Sequence, residues 1–317
     1  MRRLLAIAAL AAIAVSPVRA QTEVAMISFG GATNLPVWLA LEKGMFEKNG
    51  LKVRMDQTSG SKQQMADLMA GKYQFATTAF DNIVAHTEGQ GSAQYANYDL
   101  MAIGGVHSGL NSIVSRPEVK TWADIRGKVA AVDSPKSGYA TVLYEILESK
   151  GLIKDKDYTI VSVGGTGARV ASMKSGKAHV GVVSSPQDMQ LEKEGFNILG
   201  DAAAAIGDYQ GSVYATRRSY AKENPKLVVA FMKTIQQAHE LVFADKAAAI
   251  AMLKKRSKGL SDADLELMYK RLTGPGGLIR NSDVNQKGVA NVLRLRGTKG
   301  DGSKYMDASF SKQARSN

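Results

Sequence analysis

The sequence predicts an α/β protein of two lobes, each a mostly parallel sheet flanked by helices, with two crossovers between the lobes. Three observations carry this. Between residues 24 and 83, three strand-length apolar runs alternate with helical patterns, an order that gives β-α-β-α-β and hence a parallel sheet with right-handed connections. The same logic restarts after Arg116. A late strand-length run, residues 212–216, then precedes an all-helical stretch, as expected of a chain returning to its first lobe.

Taken in order, residues 24–29, 51–55 and 73–77 are strands, while 37–46 and 63–69 repeat apolar residues every three or four positions and are helices. A helical pattern at 82–86 stops at a Gly-rich stretch, and 100–103 is the next strand. Residues 111–115 leave extended toward the second lobe. There 122–125 is a short helix, 128–132, 159–163 and 180–183 are strands, and 137–147 and 168–174 are helices. A turn at 184–188 opens another helix, and the chain returns through 198–200 and 207–211. Helices follow at 225–243, 246–256, 263–271 and 282–295, with capping signals at Ser261 and Ser282. The tail 297–317 is polar, with 305–310 its one docked part. Lobe one is therefore expected at 21–108 and 208–317, and lobe two at 109–207.

A chain of 317 residues is long enough for two such lobes, each with its own core. Residues 1–20 read as a cleavable secretory signal peptide: Arg2 and Arg3, an apolar run over 4–15, then Val18-Arg19-Ala20 ahead of Gln21. The run is too short to span a bilayer core of about 30 Å. There is no cysteine, so disulfides, thiolate metal sites and a lipoprotein anchor are excluded. The formal charge of +12 falls to +9 once Arg2, Arg3 and Arg19 leave. Lys and Arg are spread along the chain without a nucleic-acid-binding signature, so the excess fits steering of small anions, or simply a solvated basic surface.

The blocks LPVWLALEKGMFEKNGLKV, SGSKQQMADLMAGKYQFATTAFDNI, WADIRGKVAAVDSPKSG, GGTGARVASMKSGKAHVGVVSSP and YMDASFSKQA span almost the whole mature chain. Together they closely resemble the substrate-binding proteins of nitrate/sulfonate/taurine-type ABC importers, a group that includes carriers of thiamine-pyrimidine precursors. The resemblance implies the two-lobe, type II periplasmic binding protein fold, a monomer working with an inner-membrane ABC permease, a small-molecule ligand between the lobes and no cofactor. None of the motifs is specific for a ligand. A fungal thiamine-pyrimidine synthase branch resembles the same fold but uses a cysteine-rich motif, which this chain lacks. No G-x-S-x-G elbow is present, so no catalytic residue is assigned. A sensory subunit serving a membrane receptor would have the same sequence features.

In open parallel sheets ligands bind beyond the carboxyl ends of the strands, and the turns there are rich in hydroxyls and small residues. The first such turn ends at Asn34, the second holds Ser59 and Ser61, and the third holds Thr77, Thr78 and Asp81. In lobe two Ser134, Ser137 and Gly138 open a helix, and Ser184 and Asp188 flank the last turn. Helix starts of this kind suit a carboxylate, sulfonate or phosphate, although plain N-capping explains each one singly. Trp38, Phe80 and Tyr139 offer aromatic surface for a ligand body, with core packing the alternative for the first two. Asp81 is expected to cap its own helix. No pair among His86, His107, His179 and His239 has i, i+4 spacing, so no metal site is expected, and His107 alone falls near the predicted cleft. Gly165-x-Gly167-x-x-Val170 departs from a dinucleotide loop at its third position, and its Arg169 is read as a brace. The expected ligand is a small organic anion held by these turns without needing a formal cationic partner, to which Lys136 could add a charge; a neutral or cationic aminopyrimidine, paired with Asp81 or Asp188, is the alternative.

Overall fold

A computed structural model describes residues 21–109 and 111–316; the expected signal peptide lies outside the described residues. The first sheet is built from β1 (Thr22–Ser28), β2 (Leu51–Gln57), β3 (Phe75–Ala79) and β4 (Leu100–Gly105), joined by α1 (Leu35–Glu42), α2 (Met45–Lys48), α3 (Ser61–Met69) and α4 (Phe80–Thr87). The second contains β5 (Ser112–Ser115), β6 (Lys128–Val132), β7 (Tyr158–Ser162), β8 (Val180–Val183) and β9 (Asn197–Asp201), with α5 (Gly138–Ser149), α6 (Thr166–Lys174) and α7 (Gln187–Lys193). After α8 (Ala202–Ile206), β10 (Ser212–Arg217) rejoins the first sheet. The remainder is helical: α9 (Arg218–Glu223), α10 (Pro225–Ala244), α11 (Lys246–Arg256), α12 (Asp262–Thr273), α13 (Gln286–Leu295) and α14 (Ser309–Ser316).

The strand orders are β2-β1-β3-β10-β4 and β7-β6-β8-β5-β9. In each sheet one strand runs against the other four, β10 between β3 and β4, and β5 between β8 and β9. These two are the strands by which the chain enters a sheet from the other, so the expectation of two mostly parallel sheets with two crossovers holds. Burial explains the runs. β1 is central and its last five residues are buried on both faces, whereas β2 at the edge alternates buried Leu51 and Val53 with exposed Lys52 and Arg54.

The core on one face of the first sheet is organised by α10. Val228, Phe231, Met232, Ile235, Ala238 and Val242 recur at three- and four-residue spacing and are buried. Phe231 stacks on Phe75 at 3.8 Å between centroids and on Phe46 at 5.7 Å. A second cluster is continuous across the two sheets, with Phe80 and Ile83 of α4 and Ala140 and Leu143 of α5 in one set of contacts. The two lobes thus share a core where α4 meets α5.

Four local expectations change. The helix over 37–46 is two helices, because Gly44 adopts a left-handed φ of 61° between them. Ser282 is not a cap: it sits in a left-handed turn (φ 54°), donates its hydroxyl to Gly105 O at 2.7 Å, and leaves Asn285 to cap α13 by accepting from Gly288 N. The tail is more ordered than its polarity suggests, since α14 packs on α10 through Phe310 and Ala314 and through bonds from Gln236 to Ser311. Asp81 makes no helix cap. It is fully buried and ion-paired to Arg296, which also donates to Lys136 O at 2.9 Å. Burial pushes the Asp81 carboxyl up and the guanidinium pulls it back down.

Candidate binding site between the two sheets

The turns at the carboxyl ends of β1, β3, β6, β7 and β8 meet in an enclosed cavity of about 40 Å³. The first sheet contributes Phe29, Thr33, Ala79, Asn82, His107 and Ser212. Facing them are Asn111, Asp133, Ser137, Tyr139, Arg169 and Ser184, with Thr166 and the backbone of Gly30 and Gly138 completing the wall. A space this size holds a water or a few, not an organic molecule.

Of the residues singled out from sequence, His107, Ser137, Gly138, Tyr139 and Ser184 line the cavity. The others lie elsewhere, for reasons visible in their contacts. Asn34 is buried and spends its amide on Phe29 O and Gly31 O, bracing the turn. Trp38 belongs to the core, with the Arg256 guanidinium over its ring, and Phe80 packs edge-on against Tyr305. Thr77 accepts Gln64 through its backbone oxygen, and Thr78 accepts Asn82 Nδ2. Asp188 accepts from Ser112, Ser185 and the Met189 backbone and pairs with Arg271, away from the cavity. Ser59 and Ser134 line a separate surface groove beside it.

The helix starts that sequence reasoning nominated for an anion are already occupied by the chain's own oxygens. Ser61 N, at the start of α3, donates to both Asp133 oxygens at 3.2 Å, an approach that Gly60 permits: a Cβ there would stand 2.8 Å from Asp133 Oδ1. Gly138 N, at the start of α5, donates to Asn82 Oδ1 at 3.1 Å, and Phe80 N, at the start of α4, to Gly211 O at 2.9 Å. These bonds satisfy donors that would otherwise be orphaned and, in the first two cases, tie one sheet to the other.

The cation on the wall is Arg169, which sequence reasoning had read as a brace. It does brace: Nε donates to Val182 O, Nη1 to Gly164 O and Nη2 to the Thr166 hydroxyl, at 2.8 to 3.0 Å. None of these acceptors is a carboxylate. A guanidinium has five N–H groups, so two remain for the cavity. Arg169 is buried, and burial pulls its pKa down while Asp133 and Tyr139 oppose the fall. The signal that finds it is the G-x-G turn after β7, which places residue 169 on the first turn of α6 facing inward.

The rest of the wall is rich in donors. Gly109 N donates to His107 Nδ1 at 3.1 Å, so the ring proton is on Nε2, 3.1 Å from Ser212 Oγ and 3.3 Å from the Tyr139 hydroxyl. Burial holds His107 down at about 4, so the ring is neutral at pH 7, and burial raises the Tyr139 hydroxyl. The Ser137 hydroxyl and the Asn111 Nδ2 are buried without a hydrogen-bond partner; the Asn111 amide leans toward Tyr139, and its Oδ1 accepts from Ser184 at 2.8 Å. Chemically, a buried cation beside unpaired donors can receive an oxyanion. With the ring proton on Nε2, His107 presents N–H, not a lone pair, to Ser212. Among the described residues no group of three His, Asp or Glu side chains is placed to hold a metal ion.

Comparison with known proteins agrees with this architecture. A binding protein of Bacillus subtilis, YtlA, is 25% identical over 215 residues, 65% of this chain and 62% of that one; the match thus spans less than two thirds of the relative. Among solved structures, a Bordetella bronchiseptica protein superposes with a TM-score of 0.76 at 19% identity, covering 93% of this chain and 98% of the other. The alkanesulfonate-binding protein SsuA of Xanthomonas axonopodis, bound to MOPS, gives 0.72 at 20% identity over 88% and 92%. The periplasmic nitrate-binding protein NrtA of Synechocystis gives 0.71 at 14% over 93% and 86%. The fold is that of the two-lobe periplasmic binding proteins. The family model described as NMT1/THI5 like matches residues 32–249, and the chain belongs to that family.

Proposed function

We propose that this protein is the exported solute-binding component of an ABC importer, carrying a small organic anion, a carboxylate or sulfonate, between its lobes to an inner-membrane permease. One observation carries the reading: Arg169 is buried on the cavity wall with no carboxylate among its hydrogen-bond partners, and the unpaired donors of Ser137 and Asn111 stand on the same wall. A buried cation without a directly bonded carboxylate is costly even with Asp133 nearby, and an anionic ligand offsets that cost. The lobes, 21–108 with 208–317 and 109–207, close on the ligand by hinge motion at the crossovers, and the permease reads closure. The protein binds without turnover, as a monomer, in the periplasm.

A neutral or cationic aminopyrimidine is the second reading, favoured by the Asp133 carboxylate on the same wall. A thermal-shift panel of carboxylates, sulfonates, nitrate and aminopyrimidines separates the two. A ligand at 100 times its Kd adds about 2.7 kcal/mol of stability. The anion reading expects that gain from an acid and not from its neutral amide; stabilisation by aminopyrimidines alone would replace it. Mass spectrometry of the recovered ligand should find it unchanged.

A further inference from the structure

The enclosed cavity is far below the 300 to 1,000 Å³ of ordinary small-molecule sites, so an organic anion whose head sits at Arg169 must place its body elsewhere. A second space of about 420 Å³ lies at the junction of the sheets, between α12 with the turn after it and β9. Its surface is largely apolar, from Ile198, Leu267, Pro275 and the stem of Lys270. Leu267 is 43% exposed, one of two large hydrophobic side chains so exposed among the described residues. The charges that reach this groove include Arg271 and Asp188, which pair with each other, and Asp201.

Asn111 belongs to the walls of both spaces. It is 5% exposed, its Oδ1 accepts from Ser184 at 2.8 Å and its amide lies toward the Tyr139 hydroxyl. A partition held by neutral side-chain contacts and no ion pair can swing aside at the loss of neutral hydrogen bonds alone. We infer that Asn111 is a gate between head site and groove, and that the ligand is an elongated amphiphilic anion whose apolar body lies along Leu267 and Ile198. This rests on the anion reading above.

The test is calorimetry on the mature chain with straight-chain carboxylates from acetate to decanoate. Each methylene buried in the groove should raise affinity about fourfold, until the groove is filled. Leu267→Glu, a surface change, should weaken the long acids at least tenfold and leave acetate and propionate unchanged, with the melting temperature of the variant as the control for folding. If short acids bind and affinity is flat with length, or Leu267→Glu leaves the long acids untouched, the groove inference is overturned and the head site stands. If no acid of any length binds, the anion reading falls and the gate with it.

Discussion

At the scale of single residues, the buried histidines make the sharpest statement. His239 donates Nδ1–H to Ile279 O and accepts the Tyr214 hydroxyl at Nε2, and like His107 it is held down at about 4 by burial. As pH falls below about 6.5 the unfolded chain takes up protons that the folded chain refuses until about 4. Stability is therefore complete above about 6.5 and declines through that window, by roughly 3 kcal/mol per histidine at its lower end. Calorimetric melting between pH 7.5 and 4.5 should show the decline, and His239→Gln should flatten part of it. A ring resonance of His107 or His239 titrating near 6.5 in the folded protein would contradict this. Residues of this kind were the least legible in the sequence. In the sequence Arg169 reads as a brace in a Gly-x-Gly turn; the structure shows three bracing bonds, and its two spare N–H groups become visible only when β7, β8 and α6 are placed together.

At the scale of elements most of the chain was legible, since periodicity is a local signal. β6, β8 and α11 match their expected limits, and most other elements differ by one to three residues. What failed lacked local signal. α14 has only Phe310 and Ala314 to mark its buried face, and α9 is barely more than one turn. The cap at Ser261 was legible because its partner is three residues away: Ser261 Oγ accepts from Asp264 N, and the Asp264 carboxylate returns to Ser261 N at 2.8 Å. Ser261→Ala should cost about 1 kcal/mol of stability, read as a lower denaturant midpoint at constant slope. An unchanged midpoint would mean that α12 is held by packing alone. The turns nominated for an anion were legible as helix starts, but not as starts already capped by Asp133 and Asn82 from the opposite sheet, because contacts of that sequence separation leave no trace in a local pattern.

At the scale of the molecule, the contacts that cross between the sheets define a closed arrangement. Besides Ser61 with Asp133 and Gly138 with Asn82, Arg294 pairs with Glu145, Arg271 with Asp188 and Lys193 with Asp264. The Arg294–Glu145 and Lys193–Asp264 pairs are partly exposed and each is worth under about 1 kcal/mol, whereas Asp188, paired with Arg271, is buried. At Gly138 the two sheets approach closely: a Cβ there would stand 2.8 Å from the Asp81 Cβ and 3.1 Å from that of Ala79. Gly138→Val should wedge the lobes apart, giving a larger radius in small-angle scattering that ligand does not reduce, while each lobe stays folded. A radius equal to that of the parent would refute the closure described here.

The claim that unites these scales is that Arg169 receives an anion. Calorimetry on the parent and on Arg169→Gln, with the tightest-binding acid and its neutral amide, tests it most directly. The parent should bind the acid and discriminate against the amide. Arg169→Gln should lose about 1.5 to 3 kcal/mol for the acid, roughly one to two decades in affinity, and little for the amide. Equal affinity of parent and variant for the acid, or a parent that prefers the amide, would contradict the account.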